Sequence, residues 1–155
     1  VEIDAHGLCA KDHLPYQGKQ DSISQYERIN GSLQRKIGTC NCQHGISYIV
    51  LGISPPTYDS QELEQIKDYS NEKITIRDKE VTRYEASQLM RQAETEMRYK
   101  QDEIIALRKA GMESTKKEEQ LRNMKKNYYY ISKRAGLKVR YERAYVPGFD
   151  IKKFK

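Results

Sequence analysis

Every histidine and cysteine of this 155-residue chain lies within its first 44 residues. The six side chains are those of His6, Cys9, His13, Cys40, Cys42 and His44. Random scatter would place all six there on the order of once in 2000 sequences. Imidazole nitrogen and thiolate sulfur are common zinc ligands, and four of them around one ion make a closed structural site. The clustering therefore predicts a structural Zn²⁺ site in the first third of the chain.

The spacing within the cluster favours four of the six side chains as ligands. Cys40, Cys42 and His44 fall on one face of an extended segment, because side chains alternate along such a segment. His6 and His13 come from a separate loop and complete the coordination sphere. One zinc ion needs only four ligands, so two candidates are in excess. The predicted ligands are His6, His13, Cys42 and His44, with Cys9 and Cys40 in reserve.

The same segment is poor in apolar side chains and rich in turn formers such as Gly7, Pro15 and Gly38. A segment of that composition buries too little apolar surface to hold one conformation. A structural zinc contributes about 10 to 16 kcal/mol of apparent binding free energy in small finger peptides, which can decide whether such a segment folds. The alternative is a set of ordinary buried cysteines and surface histidines that binds no metal.

Short patterns of helical and strand character occupy the region before the first long helix. They predict a short helix at about 24–34, a strand at 45–53, a helix capped by Asp59 and a β-hairpin at 73–82. The strand is rich in β-branched and aromatic residues and ends before Pro55, because proline cannot donate to a ladder. Asp59 and Glu62 have the spacing of a capping box, and the helix behind them should bury Leu63 and Ile66.

Two longer apolar stripes, from Ala86 to Leu107 and from Leu121 to Ala135, have the period of amphipathic helices. Their predicted starts are Thr82 with Glu85 and Thr115 with Glu118, and their predicted ends are Gly111 and Gly136. A short connection should fold them back as an antiparallel hairpin. Together the patterns predict an α+β fold. Its regions are a zinc-binding module at 1–58, a short helix and β-hairpin at 59–82, a helical hairpin at 83–136 and an extended basic arm at 137–155.

Positive charge is concentrated at the carboxyl end, although the net charge of the chain is only +6. From residue 116 onward thirteen basic side chains stand against four acidic ones, and three consecutive tyrosines begin at Tyr128. Cations interleaved with rings are typical of nucleic-acid surfaces. The pattern also fits a solvated or protein-facing helix, because Tyr128 belongs to the apolar stripe. We favour the second interpretation and leave nucleic-acid contact open.

Several function classes are disfavoured by the sequence. No apolar run approaches the roughly 18 residues of a membrane span, and no signal peptide is recognisable, so we predict a soluble, intracellular protein. Cys42 and His44 resemble a nucleophile and its base, but two such neighbours rarely supply the orienting group as well. There is no HExxH-like motif and no glycine-rich phosphate loop. We predict that the chain is not an enzyme, and a metal-dependent nuclease is the weakest alternative.

Several separate runs of the sequence, in the same order, resemble the C-terminal part of the phage minor capsid protein 2 family. These runs are VEIDAH at 1–6, DH with YQGK at 12–19, IG with NCQH at 37–44, LGIS with PTY at 51–58, TRYEASQ at 82–88 and RQ with E at 91–94. The similarity extends from Val1 to about Phe149. The matching positions include all four preferred ligands, whereas Cys40 stands where an apolar residue is common in the family.

The resemblance implies a virion component that acts in head assembly near the portal, with phage head or portal proteins as partners, and not a catalyst. Zinc binding is inferred from the ligand types. A chain that begins inside the family pattern is expected to be a piece of a longer protein or a naturally shortened product. A shortened product could instead inhibit a host defence complex by binding an effector, as anti-CRISPR proteins do. Both roles predict a location in the virion or the host cytoplasm, without a membrane partner.

Overall fold

The α+β class predicted from the sequence is confirmed by the computed structural model of the chain, which describes residues 1–39 and 42–150. The structure contains two small antiparallel sheets and a long helical hairpin. Cys40, one of the reserve ligands, lies outside the described residues. So does the end of the predicted basic arm, at 151–155.

Contacts divide the chain into two compact units, Val1–Glu72 and Lys73–Lys155. The boundary falls inside the predicted region 59–82, whose helix belongs to the first unit and whose β-hairpin belongs to the second. In chain order, the elements of the first unit are β1 (Glu2–Ile3), a 3-10 turn (Leu14–Tyr16), α1 (Ile23–Ser32), β2 (Ile46–Ser47) and α2 (Ser60–Asn71).

Both helices of the first unit begin at capping boxes, in which a side chain at the N-cap and one three residues later satisfy each other's backbone N–H groups. α1 is the first predicted helix and starts after Ser22. α2 starts after Asp59, as predicted, and its N–H of Glu62 donates to Asp59 Oδ1 at 2.8 Å. Leu63 and Ile66 lie half-buried on α2, less deeply than the sequence pattern predicts.

The strand predicted at 45–53 is wrong beyond its first residues. Only the two residues of β2 pair, antiparallel, with the two residues of β1. Farther along, the carbonyl of Val50 accepts the N–H of Ile53 at 3.0 Å and closes a turn in which Gly52 has a φ of +80°. Because β1 offers only two residues, the β-branched side chains after β2 have no partner strand in the described part of the chain.

The elements of the second unit are β3 (Lys73–Ile76), β4 (Lys79–Thr82), α3 (Arg83–Lys109), α4 (Thr115–Ala135) and α5 (Tyr141–Ala144). The predicted β-hairpin is confirmed, with a two-residue turn of Arg77 and Asp78. Arg77 has a φ of +55°, and its N–H donates to the hydroxyl of Tyr130 on α4 at 3.0 Å. α3 begins at the predicted capping box of Thr82 and Glu85.

α4 begins one position before the prediction. The N-cap is Ser114 rather than Thr115, and the Ser114 hydroxyl donates to Glu118 Oε1 at 2.6 Å instead of capping a backbone N–H. The predicted end is confirmed, because Gly136 takes the left-handed conformation, with a φ of +65°, that glycine adopts without strain. Within the described residues, every helix is too short or too polar to cross a membrane.

The apolar stripes of α3 and α4 form the main buried core, as the helical-hairpin prediction requires. Its central residues are Ala86, Met90, Met97 and Ile104 of α3 and Leu121, Tyr128, Ile131 and Ala135 of α4. A polar network crosses this core. The hydroxyl of Tyr128 donates to Glu94 Oε1 at 2.6 Å and accepts the N–H of Arg140 at 3.1 Å. Burial raises the pKa of Tyr128, with the Glu94 hydrogen bond adding to it, so the hydroxyl keeps its proton.

The extended arm predicted from residue 137 is wrong for the described residues up to 150. Gln101, which is fully buried, donates to the carbonyl of Ala144 at 2.5 Å and accepts the N–H of Val146 at 3.2 Å. Ala144 and Phe149 are buried in the same core as the helical hairpin. The segment folds back because its apolar side chains cover the hairpin and Gln101 satisfies its backbone.

The network predicts that Tyr128→Phe destabilises the protein. The substitution leaves the buried Glu94 carboxylate and the Arg140 N–H without the hydroxyl that joins them, which should lower the free energy of unfolding by about 1 to 3 kcal/mol. Urea denaturation measures the change. Tyr99→Phe is the matched control, because Tyr99 is 71 % exposed and should change stability by less than about 0.5 kcal/mol. Equal effects of the two substitutions would contradict the role of the network.

Candidate metal centre

The pairing of β1 with β2 brings two distant stretches of the first unit side by side. The pairing continues beyond the strands, where the N–H of Asp4 donates to the carbonyl of Gly45 at 3.1 Å. The ligand candidates lie just after β1 or just before β2 in the sequence, so the pairing makes them neighbours in space. The described candidates are His6, Cys9, His13, Cys42 and His44.

His44 lies at the centre of these side chains. Its Nδ1 is 3.1 Å from Cys42 Sγ, and its Nε2 is 3.4 Å from Cys9 Sγ. Cys42 Sγ is in turn 3.7 Å from Nδ1 of His13. The ring centroids of His6 and His44 are 4.3 Å apart, and those of His13 and His44 are 5.4 Å apart. We call these five residues the His44 cluster.

The His44 cluster contains two groups of ligand atoms that could bind a metal ion. One consists of His6, Cys9 and His44, the other of His13, Cys42 and His44, and the ligand atoms of each lie within 4.8 Å of one another. Around a zinc ion with bonds of about 2.0 to 2.3 Å, tetrahedral ligand atoms are about 3.3 to 3.8 Å apart. The distances of Cys42 Sγ from His44 and His13, 3.1 and 3.7 Å, are close to this spacing.

His13 has the outer partner that metal-binding histidines usually have. Its Nε2 donates to the carbonyl of Arg35 at 2.6 Å. A carbonyl can only accept, so the proton of the ring is on Nε2 and the lone pair of Nδ1 faces Cys42. The guanidinium of Arg35 is held by the carboxylate of Asp12 at 2.5 Å. His13 is therefore oriented as a ligand through Nδ1.

His6 and Cys9 form the other group, which shares only His44 with the group around Cys42, and one of them would have to supply the fourth ligand of a single site. Nε2 of His6 is buried and has no hydrogen-bond partner among the described residues, which costs free energy unless an ion or another group satisfies it. The thiol of Cys9 instead donates to the carbonyl of Ala10 at 3.2 Å. Coordination through His6 Nε2 moves the ring proton to Nδ1 and gives up a 3.3 Å contact with the N–H of Leu8. The unsatisfied nitrogen favours His6.

Burial keeps two imidazoles and one thiol of the cluster in their neutral forms. It lowers the pKa of His44 to about 4, an effect to which the neighbouring His6 and His13 add, and it also lowers the pKa of His6. Both imidazoles are therefore neutral at pH 7, which is the state that binds metal. Burial raises the pKa of Cys9 to about 12, with the Cys42 and Asp12 charges adding to it. Cys9 is thus harder to convert into a thiolate ligand.

The surroundings of the cluster contain few apolar side chains. In the described part of the first unit, the buried apolar residues are Val1, Ile3, Cys9, Ala10 and Ile37, and the buried polar residues are Glu2, His13, Gln17, Asp21, His44 and Ser70. Because the buried polar residues outnumber the buried apolar ones, burial supplies little hydrophobic stabilisation to this unit. The first unit therefore depends strongly on specific polar contacts.

Three of those polar contacts support the cluster and were not predicted from the sequence. Gln17 Oε1 accepts the N–H of His6 at 2.8 Å, and the hydroxyl of Ser70 on α2 donates to the carbonyl of Cys9 at 3.0 Å. The Arg35 carbonyl that orients His13 is the third. Each partner is separated from its ligand by at least eleven residues and has no metal-ligand chemistry, so no local sequence pattern points to it.

The structure brings together every predicted ligand that lies within its described residues. His6, His13, Cys42 and His44 all belong to the His44 cluster, together with Cys9 from the reserve pair. The spacing argument could rank Cys9 only by elimination, whereas the structure shows its thiol facing His44. This arrangement of nitrogen and sulfur atoms could bind a metal ion in a largely buried site.

Comparison with known proteins identifies no relative of this chain. No family model, no curated protein and no solved structure matches the chain. The resemblance to the phage minor capsid protein 2 family therefore stays a prediction based on the sequence runs themselves.

Proposed function

We propose that His6, His13, Cys42 and His44 bind one structural Zn²⁺ ion in a non-catalytic phage protein that acts in head assembly through protein–protein contacts. The observation that carries the zinc assignment is the convergence of imidazoles and thiols from two distant stretches on His44. Zinc suits this donor set, since three nitrogens and one sulfur make a closed tetrahedral site. Calcium and magnesium prefer oxygen ligands.

The ion would supply stabilisation that the burial of apolar side chains does not provide in the first unit. It would join the loop after β1 to the segment before β2, in a unit whose buried side chains are largely polar. Metal coordination can contribute as much free energy as folding such a unit requires. The buried Nε2 of His6, which has no partner among residues 1–39 and 42–150, supports this role, because coordination satisfies it.

A catalytic role for the same residues is less well supported. Cys42 Sγ and His44 Nδ1, 3.1 Å apart, have the separation of a nucleophile and its base. The other nitrogen of His44 faces the thiol of Cys9, however, and not a carboxylate that would orient the ring. A His44 pKa of about 4 also makes the imidazole a weak base at neutral pH. Four protein ligands would leave no coordination position for a substrate.

The assembly role rests on the sequence runs that resemble the phage minor capsid protein 2 family and on the closed site that four protein ligands would form. A closed metal site stabilises a fold and does not turn over a substrate. The protein would therefore function through binding contacts made by its surfaces. The alternative role, inhibition of a host defence complex, uses the same properties with a different partner.

Metal analysis tests the site. The tag-free parent chain should contain about one zinc per molecule, and a chelator should lower its melting temperature, because the ion holds the first unit together. His6→Ala and Cys42→Ala should each lower the zinc content and the melting temperature. Lys11→Ala is the control, since Lys11 is exposed and lies between the ligands in sequence. A metal-free parent chain whose melting is unchanged in chelator would overturn the assignment.

A second pair of variants tests the choice between the two cysteines. Cys9→Ser should retain about one zinc per chain, whereas Cys42→Ser should lose it. After substitution of cobalt for zinc, the thiolate-to-metal absorption band should survive in Cys9→Ser and disappear in Cys42→Ser. The opposite result would assign the thiolate ligand to Cys9.

Proteomic analysis of purified phage particles tests the assembly role separately from zinc binding. A head component should be present in particles at a constant ratio to the major capsid protein and should stay bound after washing with salt. A protein found only in infected-cell lysate, in a stoichiometric complex with a host effector, would support the inhibitor role instead and refute assembly.

A further inference from the structure

The stretch from 120 to 141 contains no acidic residue, and it contains seven basic ones. These are Arg122, Lys125, Lys126, Lys133, Arg134, Lys138 and Arg140. It covers most of α4 and the start of the segment that folds back over the hairpin. The nearest acids in sequence are Glu119 and Glu142. Such a one-sided charge distribution raises the local potential and attracts anions.

Within this stretch, Arg122, Lys126 and Lys133 lie on one face of α4. Their spacings of four and seven residues return to the same side of a helix, and all three side chains are exposed. Tyr129 lies on the same face between them and is 41 % exposed. With a rise of about 1.5 Å per residue, the face extends roughly 16 Å along the helix. We call these four residues the α4 cationic face.

Several other basic residues of the second unit have an acidic partner, whereas the cations of this face have none among the described residues. Lys100 and Lys117 both contact Glu103, and Arg108 contacts Glu118. No ion pair involves Arg122, Lys126 or Lys133 in the described part of the chain. Lys126 and Lys133 also have no acid three or four positions away in the sequence. Their charges are therefore available to a ligand.

We infer that the α4 cationic face binds the phosphate backbone of a nucleic acid without reading its sequence. Flexible lysine and arginine side chains neutralise phosphates and release counterions, which is the main source of sequence-independent affinity. The exposed ring of Tyr129 offers a stacking surface for an unpaired base beside those contacts. A membrane surface fits less well, because an interfacial helix exposes a broad apolar stripe beside its cations, whereas this face combines three cations with the single ring of Tyr129.

This inference is independent of the zinc site, since all its residues belong to the second unit. The sequence alone favoured a solvated or protein-facing helix. The structure adds that Tyr128 points into the core while its neighbours at 126, 129 and 133 do not, and that the cations on that side lack acidic partners.

Fluorescence anisotropy with the full chain tests the inference, using two unrelated single-stranded DNA probes of equal length and a polyglutamate peptide of equal charge. The parent should bind both DNA probes with similar affinity. For single-stranded probes, three phosphate contacts predict a slope of about −2 for log K against log salt, or roughly 20-fold weaker binding when salt rises fourfold. Arg122→Glu/Lys126→Glu/Lys133→Glu should abolish most of the binding and most of the salt dependence.

The control is Lys11→Glu/Lys79→Glu/Lys109→Glu, which changes the net charge equally at exposed positions off the face. It should keep affinity within a few-fold of the parent. Circular dichroism should show that both variants stay helical, and if the Glu variant unfolds, Arg122→Gln/Lys126→Gln/Lys133→Gln replaces it. No binding by the parent at low salt, equal losses in both variants, or equal affinity for polyglutamate would each overturn the inference, the last in favour of an acidic protein partner.

Discussion

The antiparallel pairing of β1 with β2 is the interaction on which the first unit depends. It joins only two residues of each strand, yet it brings the loop that carries His6, Cys9 and His13 against the segment that carries Cys42 and His44. A ladder this short is marginal by itself. Gln17, Arg35 and Ser70 add polar contacts around it, and a further link between the two stretches would stabilise the unit. Coordination of an ion by the His44 cluster would provide it.

The second unit is stabilised in a different way. Its two long helices bury a continuous apolar core, and the segment after α4 covers that core with Ala144 and Phe149. Gln101 of α3 and Tyr128 of α4 tie the helices to this segment, and Tyr128 is also bonded to Glu94 of α3, through hydrogen bonds that water cannot replace without opening the core. One chain thus combines a unit with few buried apolar groups and a unit with a conventional helical core.

The functional proposals follow this division. The first unit contains two largely buried groups of histidine and cysteine side chains that could bind a metal ion. The second unit presents exposed cations on α4 that have no acidic partners in the described residues. Neither feature requires catalysis, and both are typical of a protein that works by binding. A virion component near packaged nucleic acid or an inhibitor of a nucleic-acid-binding host complex would each use such a pair of surfaces.

The sequence by itself determined the elements whose signals are local. Capping boxes at Asp59 and Thr82, the apolar stripes of α3 and α4, and Gly136 at a helix end all act within a few residues, and the concentration of histidine and cysteine needs no structure to be seen. Tertiary structure alone decided how far β2 extends, because a strand needs a partner and β1 is short. It also decided that the residues after 137 fold back, that Tyr128 meets Glu94, and that a buried nitrogen of His6 lacks a partner in the part of the chain that the structure describes. Those features depend on contacts between residues far apart in the chain, and such contacts leave no periodic trace in the sequence.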